Sequence, residues 1–193
     1  MGIEFELKYC ATEQAQAQLQ ATIPGEEQHY EMETTYYDTP EGSLSARFYT
    51  LRRRRENDVY VCTLKFPTDG DGRGEIELEC DSIEKALPEL CKLSGLKDLA
   101  ALTAPGLVAI CGAKFHRIAK TFVFNGTTME LALDRGVLMG GEKEIPLCEV
   151  ELELKEGNPE HVRIYGAGLM AAFGLEVEKR SKFRRALSLA KGD

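Results

Sequence analysis

Ile3-Glu4-Phe5-Glu6-Leu7-Lys8-Tyr9 alternates residue by residue between a bulky apolar side chain and a full charge. Successive side chains of an extended chain point to opposite faces, so this two-residue period predicts a strand with one buried face. For one strand alone, the charged face needs no explanation beyond contact with water. The rest of the chain repeats the arrangement. Arg52/Arg54, Lys65, Glu75/Glu77/Glu79, Glu130/Asp134 and Glu149/Glu151/Glu153 lie opposite Leu51, Leu64/Phe66, Ile76/Leu78, Leu131/Leu133 and Val150/Leu152/Leu154. Strand after strand thus carries full charges on one face, with few neutral polar residues among them.

Strands are predicted over 3–9, 30–37, 47–55, 59–66, 73–80, 115–124, 127–134 and 147–155. Turn chemistry separates them: Asn57-Asp58, the flexible Asp69-Gly70-Asp71-Gly72, and Asn125-Gly126, a strong hairpin signal. Asp81-Ser82-Ile83-Glu84 has the form of a capping box opening a helix to about residue 93, with Pro88 inside it. Asn158-Pro159 reads as a cap followed by proline at the first helical position, and Val162, Tyr165, Leu169 and Phe173 then mark one face. Shorter helices are expected over 12–19 and 182–189. The class is β-dominated α+β. No linker divides the 193 residues, which are read as a single domain over 1–193.

About eight such strands form either an open sheet with an exposed charged face or a closed antiparallel barrel with a charged lumen. The amphipathic helices need an apolar surface to cover, and the outside of a barrel supplies one. Cations crowded into a narrow lumen repel each other and need carboxylates and an anionic ligand; crowded carboxylates need a divalent metal. Together these needs point to a polyphosphate bound with Mg2+ or Mn2+, hard cations that share oxygen ligands with phosphates. Val59 and Val61 share the parity of Lys65 and break the charged pattern.

The balance of 24 Lys+Arg against 32 Asp+Glu gives a formal charge of −8, which argues against a nucleic-acid binder. No stretch is apolar enough to span a bilayer, and a soluble, cytoplasmic protein without a membrane partner is expected. The six cysteines lack metal-ligand spacing and are read as reduced. Alternation splits Arg52-Arg53-Arg54-Arg55 between two faces, which disfavours a basic patch. Tyr36-Tyr37-Asp38-Thr39-Pro40 is read as a structural turn, His116 as outward-facing, and His29 and His161 as surface positions. No nucleophile and base arrangement and no phosphate-cradling glycine loop is present in the sequence.

Glu4-x-Glu6-x-Lys8 resembles the signature of the CYTH superfamily, the triphosphate tunnel metalloenzymes. The resemblance continues through Tyr36-Tyr37-Asp38-Thr39-Pro40, Leu51-Arg52-Arg53-Arg54, Thr63-Leu64-Lys65, Arg73-Gly74-Glu75-Ile76-Glu77, Arg117, Leu133-Asp134-Arg135-Gly136, Glu149-Val150-Glu151-Leu152-Glu153 and Ser181-Lys182-Phe183. From Arg117 through the Glu149–Glu153 strand the chain looks most like the bacterial inorganic triphosphatase branch.

The resemblance implies an eight-stranded antiparallel closed barrel with helices packed outside. It implies Glu4, Glu149 and Glu151 as leading metal ligands, with Glu6, Glu153 and Asp134 as further ones. Lys8, Arg52, Arg54, Lys65, Arg117 and Lys182 would grip the phosphates, and Glu6 with Glu77 would orient the attacking water beside Lys8; Arg184 is a rim candidate. The activity implied is divalent-metal-dependent hydrolysis of tripolyphosphate to pyrophosphate and phosphate. Adenylate cyclase or thiamine triphosphatase chemistry on the same fold, a non-catalytic polyphosphate-binding module, and a homodimer all stay open.

Overall fold

The alternating charges sort onto one side of a single antiparallel sheet. The computed structural model describes residues 2–69 and 72–192; the loop expected at Asp69-Gly70-Asp71-Gly72 lies partly outside them. In chain order the elements are β1 (Gly2–Glu4), β2 (Glu6–Cys10), α1 (Glu13–Thr22), β3 (Glu27–Asp38), α2 (Ser43–Ala46), β4 (Thr50–Glu56), β5 (Val59–Pro67) and β6 (Arg73–Glu79). There follow α3 (Ile83–Ser94), α4 (Leu99–Thr103), β7 (Val108–Phe124), β8 (Thr127–Gly140), β9 (Lys143–Glu156), α5 (Pro159–Phe173), β10 (Glu176–Val177) and α6 (Lys182–Lys191).

The expected eight-stranded closed barrel is not what forms. Among the described residues the sheet has ten strands in the order β1-β6-β5-β4-β3-β7-β8-β9-β2-β10, an open ladder whose end strands β1 and β10 do not pair. The N-terminal stretch changes partner at Phe5: β1 pairs with β6, whereas β2 pairs with β9 and β10, and the Phe5 carbonyl already accepts from the Leu154 amide of β9 at 2.9 Å. The β-dominated α+β class stands. The sheet curls, and its concave face carries the charges.

Turns and caps follow local chemistry. Asn57 and Asn125 take positive φ (53° and 49°) at the β4–β5 and β7–β8 hairpins, a conformation asparagine tolerates better than most residues. Thr12, Ser82, Asn158 and Ser181 each accept a backbone N–H through the side chain at the start of α1, α3, α5 and α6. The cap of α3 is Ser82 rather than Asp81, and the helix runs on through Pro88.

Three helices cover the convex face as expected. Leu19 of α1 and Val162 and Leu169 of α5 pack on Tyr9, Leu131, Leu133, Val150 and Leu152. Ile83, Ala86 and Leu90 of α3 pack on Leu51, Cys62, Leu64 and Ile76. Helix α6 corrects the expectation of helices only on the outside. Its Ala186 joins Met32, Ala113, Phe115, Leu138 and Leu147, and its Phe183 and Leu187 join Tyr36, all on the concave side. None of the described helices is long and apolar enough to cross a membrane.

Candidate active site

The concave face and α6 enclose a cavity of about 540 Å3, lined by side chains of nearly every long strand. The cross-strand register builds it. On β2 and β9, Lys8 stands opposite Glu151 and Glu6 opposite Glu153; Glu153 in turn faces Glu130, and Glu149 faces Asp134. Asp134 stands opposite Arg117. On the other arm, Thr63 lies between Arg52 and Glu77, and Lys65 faces Glu75. Residues directly opposite in an antiparallel pair share a face, so one belt of charge runs along the sheet.

Cations and carboxylates interleave within this belt. Lys8 Nζ lies 2.8 Å from Glu6. Lys65 Nζ bonds Glu4 and lies 3.2 Å from Glu75. Arg52 Nη2 is 3.7 Å from Glu75 and 3.6 Å from Glu77, while its buried Nε has no hydrogen-bond partner among the described residues. Arg54 Nε donates to Glu56 at 2.6 Å. Thr63 Oγ1 donates to Glu77 at 3.0 Å. Burial alone would raise the Glu77 carboxyl, but Arg52 and Arg54 outweigh it and hold Glu77 below the ordinary carboxylate range.

Asp134, Glu149 and Glu151 bring carboxylate oxygens within 4.8 Å of one another, the oxygen-rich grouping suited to a hard divalent ion. Lys182, the first residue of α6, sits against all three, 2.7 Å from Asp134 and from Glu151 and bonded to Glu149. Arg117 adds bonds to Asp134 at 2.7 Å and to Glu151 at 2.5 Å, and Arg185 bonds Glu149. Burial opposes the charge on Lys182 and on Arg117, yet these carboxylates prevail and lift both pKa values. Glu149 is pushed up by its burial, whereas the cations at Lys182 and Arg117 overcome burial to hold Glu151 well below its usual range. Behind the group, Gln16 of α1 donates to the backbone carbonyls of Asp134 and Glu149 at 3.0 and 2.9 Å, tying β8 to β9.

Glu4, Glu6, Lys8, Arg52, Arg54, Lys65, Glu77, Arg117, Glu151, Glu153 and Lys182 all line the cavity. Asp134 and Glu149 do not; both are fully buried behind Lys182 and Arg117. Arg184 is exposed at the rim, its guanidinium 5.1 Å from the Phe48 ring centre. Val59 is exposed at the β4–β5 turn, opposite Glu56 in register. His116 faces away and stacks near His29, while His161 is half-buried and bonded to Thr127, not free at the surface.

Sequence reasoning passed over Arg73, Lys155 and Arg185. Arg73 and Lys155 line the cavity with the parity of Glu75 and Glu153, a signal that was there to read. Arg185 lies one turn after Lys182 on the same face of α6, where i and i+3 meet. Tyr36, read as part of a turn, also lines the cavity, its ring centre 5.1 Å from that of Phe183. The turn itself is as expected: buried Asp38 accepts from the amides of Thr39, Leu44 and Ser45.

A family model described as the CYTH domain matches residues 2–187. The inorganic triphosphatase of Haemophilus influenzae is 34% identical over 139 residues, covering 69% of this chain and 38% of that protein. The chain therefore spans well under half the length of this curated relative. Among solved structures, a Hippeastrum protein described as a candidate adenylyl cyclase with a dominant triphosphatase activity superposes with a TM-score of 0.66 at 21% identity, covering 98% of this chain and 95% of its own. A Pyrococcus horikoshii protein superposes at 0.65 with 23% identity, covering 98% and 99%. At these identities the two structures bear on the fold alone.

Proposed function

The chain belongs to the CYTH domain family, and from that premise we propose that it is a metal-dependent triphosphatase that hydrolyses tripolyphosphate to pyrophosphate and phosphate. The observation that carries this reading is the convergence of Lys8, Arg52, Arg54, Lys65, Arg117 and Lys182 on one cavity whose walls also hold carboxylates. A pure anion binder gains nothing from Glu4, Glu6, Glu151 and Glu153, which repel its ligand. The name of the Haemophilus influenzae relative supports the same activity.

Phosphoryl transfer asks little covalent chemistry of a protein; positioning and charge neutralisation supply most of the rate. Arg52 and Arg54 offer planar donor pairs to phosphate oxygens, and Lys8 and Lys65 act as point charges. Their carboxylate neighbours hold these cations in place until phosphate oxygens replace them as partners. Glu77, kept ionised by Arg52 and Arg54, has the charge needed to accept a proton-side hydrogen bond from an attacking water, with Glu6 beside Lys8 as its companion. Glu151, with Glu4, Glu6 and Glu153 along the same belt, would offer Mg2+ or Mn2+ hard oxygen donors at the cavity wall, and Asp134 and Glu149, behind Lys182 and Arg117, would complete the carboxylate grouping around Glu151. Such an ion, when bound, would neutralise phosphate oxygens and polarise the phosphorus.

Phosphate release from tripolyphosphate, thiamine triphosphate and ATP, measured with Mg2+ or Mn2+ and beside an assay for cyclic AMP, tests the reading. Tripolyphosphate should be turned over fastest, and Lys8→Ala and Glu151→Ala should each remove most of the activity. Absence of release from every triphosphate would refute the enzyme; thermal stabilisation by tripolyphosphate without turnover would favour a binding module.

A further inference from the structure

On the convex side of the sheet, facing away from the charged cavity, two histidines meet across the β3–β7 ladder. Tyr30 stands opposite Arg117 in register, and both line the cavity. Their chain neighbours His29 and His116 therefore point to the other face. There His29 Nδ1 and His116 Nε2 lie 3.4 Å apart, with ring centres separated by 5.4 Å. Two nitrogens bound at about 2.0–2.1 Å to a tetrahedral ion stand about 3.3 Å from each other, so the observed spacing is that of two ligands of one ion.

A second contact orients the pair. His29 Nε2 lies 3.3 Å from the carboxylate of Glu27 on the same face of β3. With the proton on Nε2, beside that carboxylate, Nδ1 would keep its lone pair on the side of His116. Histidines that ligate metals characteristically donate their other ring N–H to a carboxylate, which fixes the tautomer and raises the basicity of the ligating nitrogen. His116 in turn stands directly opposite Glu31 in the ladder, so a carboxylate shares its face. The side chain of His29 is 52% exposed, open to an ion from solvent.

We infer that His29 and His116 form a surface site for an imidazole-preferring transition ion of the Zn2+ type, oriented by Glu27 and separate from the cavity. Imidazole nitrogens favour such ions over Mg2+ or Mn2+, whose preference is for oxygen. The two sites therefore differ in the chemistry of the ions they select, and the inference does not rest on the triphosphatase reading.

The test is calorimetric titration of the full chain with Zn2+ in excess Mg2+, added to compete for the oxygen donors of the cavity. The wild type should bind Zn2+ at a site that needs both imidazoles. His29→Ala and His116→Ala should each abolish it, and Glu27→Gln should weaken it about 10–100-fold. His161→Ala, which alters the remaining histidine, should leave it intact. Phosphate release should be the same in all four variants as in the wild type. Failure of the wild type to bind Zn2+ under these conditions, or equal binding by the His29→Ala and His116→Ala variants, overturns the inference.

Discussion

Arg117 grips Asp134 at two points across the β7–β8 ladder, Nε to Oδ1 and Nη2 to Oδ2, each at 2.7 Å. The two residues stand directly opposite in register, so the backbone pairing delivers the planar guanidinium squarely to the carboxylate. Lysine cannot reproduce that fork. Arg117→Lys loses the two-point contact and leaves Asp134 Oδ2, a buried carboxylate oxygen, with the Lys182 ammonium as its remaining contact, which should cost about 1–3 kcal/mol in a urea melt. The activity should fall at least tenfold in kcat/KM for tripolyphosphate. A variant as stable and active as the wild type would show that the two-point contact contributes nothing.

Lys182 is the cation that makes three crowded carboxylates tolerable. Its ammonium contacts Asp134, Glu149 and Glu151 at a position 8% exposed. Removing one partner from a buried charge cluster typically costs about 3–5 kcal/mol, because the remaining charges lose compensation. Lys182→Met should lose stability on that scale. Mn2+ should then restore part of the loss, and should stabilise the variant more than the wild type, because a divalent ion can take the place of the ammonium. Unfolding curves with and without Mn2+ decide this; equal stabilisation of both proteins would separate Lys182 from the metal grouping.

The thiols offer a check on the sheet itself. Burial pushes Cys62 up to about 11 and Cys111 up to about 12, while Cys10 alone of the six is exposed. Only the thiolate reacts with an alkylating agent. At pH 8 iodoacetamide should label Cys10 first and leave Cys62 and Cys111 unmodified until the protein unfolds, as read by mass spectrometry. The sign of the linked effect follows. As pH rises past the ordinary thiol range of about 8.5, the unfolded chain loses these protons while the folded chain keeps them, so stability should decline above that pH. Rapid labelling of Cys111 in the native protein would contradict the packing described.

How much of this was legible depended on where charge marks the inner face. Along β1, β2, β4, β6 and the second half of β9, alternation placed Glu4, Glu6, Lys8, Arg52, Arg54, Glu77, Glu151 and Glu153 on one side, and they line the cavity. The signal fails where α6 covers the concave face. There Ala113, Leu138 and Leu147 are apolar inside as well as out, so the first part of β7 and the β8–β9 hairpin carry no two-residue period and run well beyond the expected strands. The break at Phe5 was hidden for the opposite reason: Phe5 fits the alternation, and the change of pairing partner there leaves no mark on the residue pattern. Asp134 and Glu149 carried the right parity, but parity cannot tell a residue at the cavity surface from one sealed behind Lys182.

Gly136 sets how closely β8 approaches β7 beside Asp134. A methyl group placed there would collide with the backbone carbonyl of Lys114 and lie 2.5 Å from Phe115 Cα and 2.7 Å from its Cβ. These are mainly backbone atoms in a central ladder, so no flexible side chain can swing aside. The two strands would have to separate, and Gly136 stands directly opposite Phe115 in the register that also sets Arg117 against Asp134. Gly136→Ala should therefore destabilise the fold by about 1–3 kcal/mol, the range seen for overpacked positions. It should also lower kcat more than a remote substitution of equal cost, such as one under α3 in the cluster of Leu64 and Leu90. Comparing kcat for two such variants matched in urea midpoint isolates the geometric part: equal kcat would mean that the strand spacing at Gly136 serves stability alone.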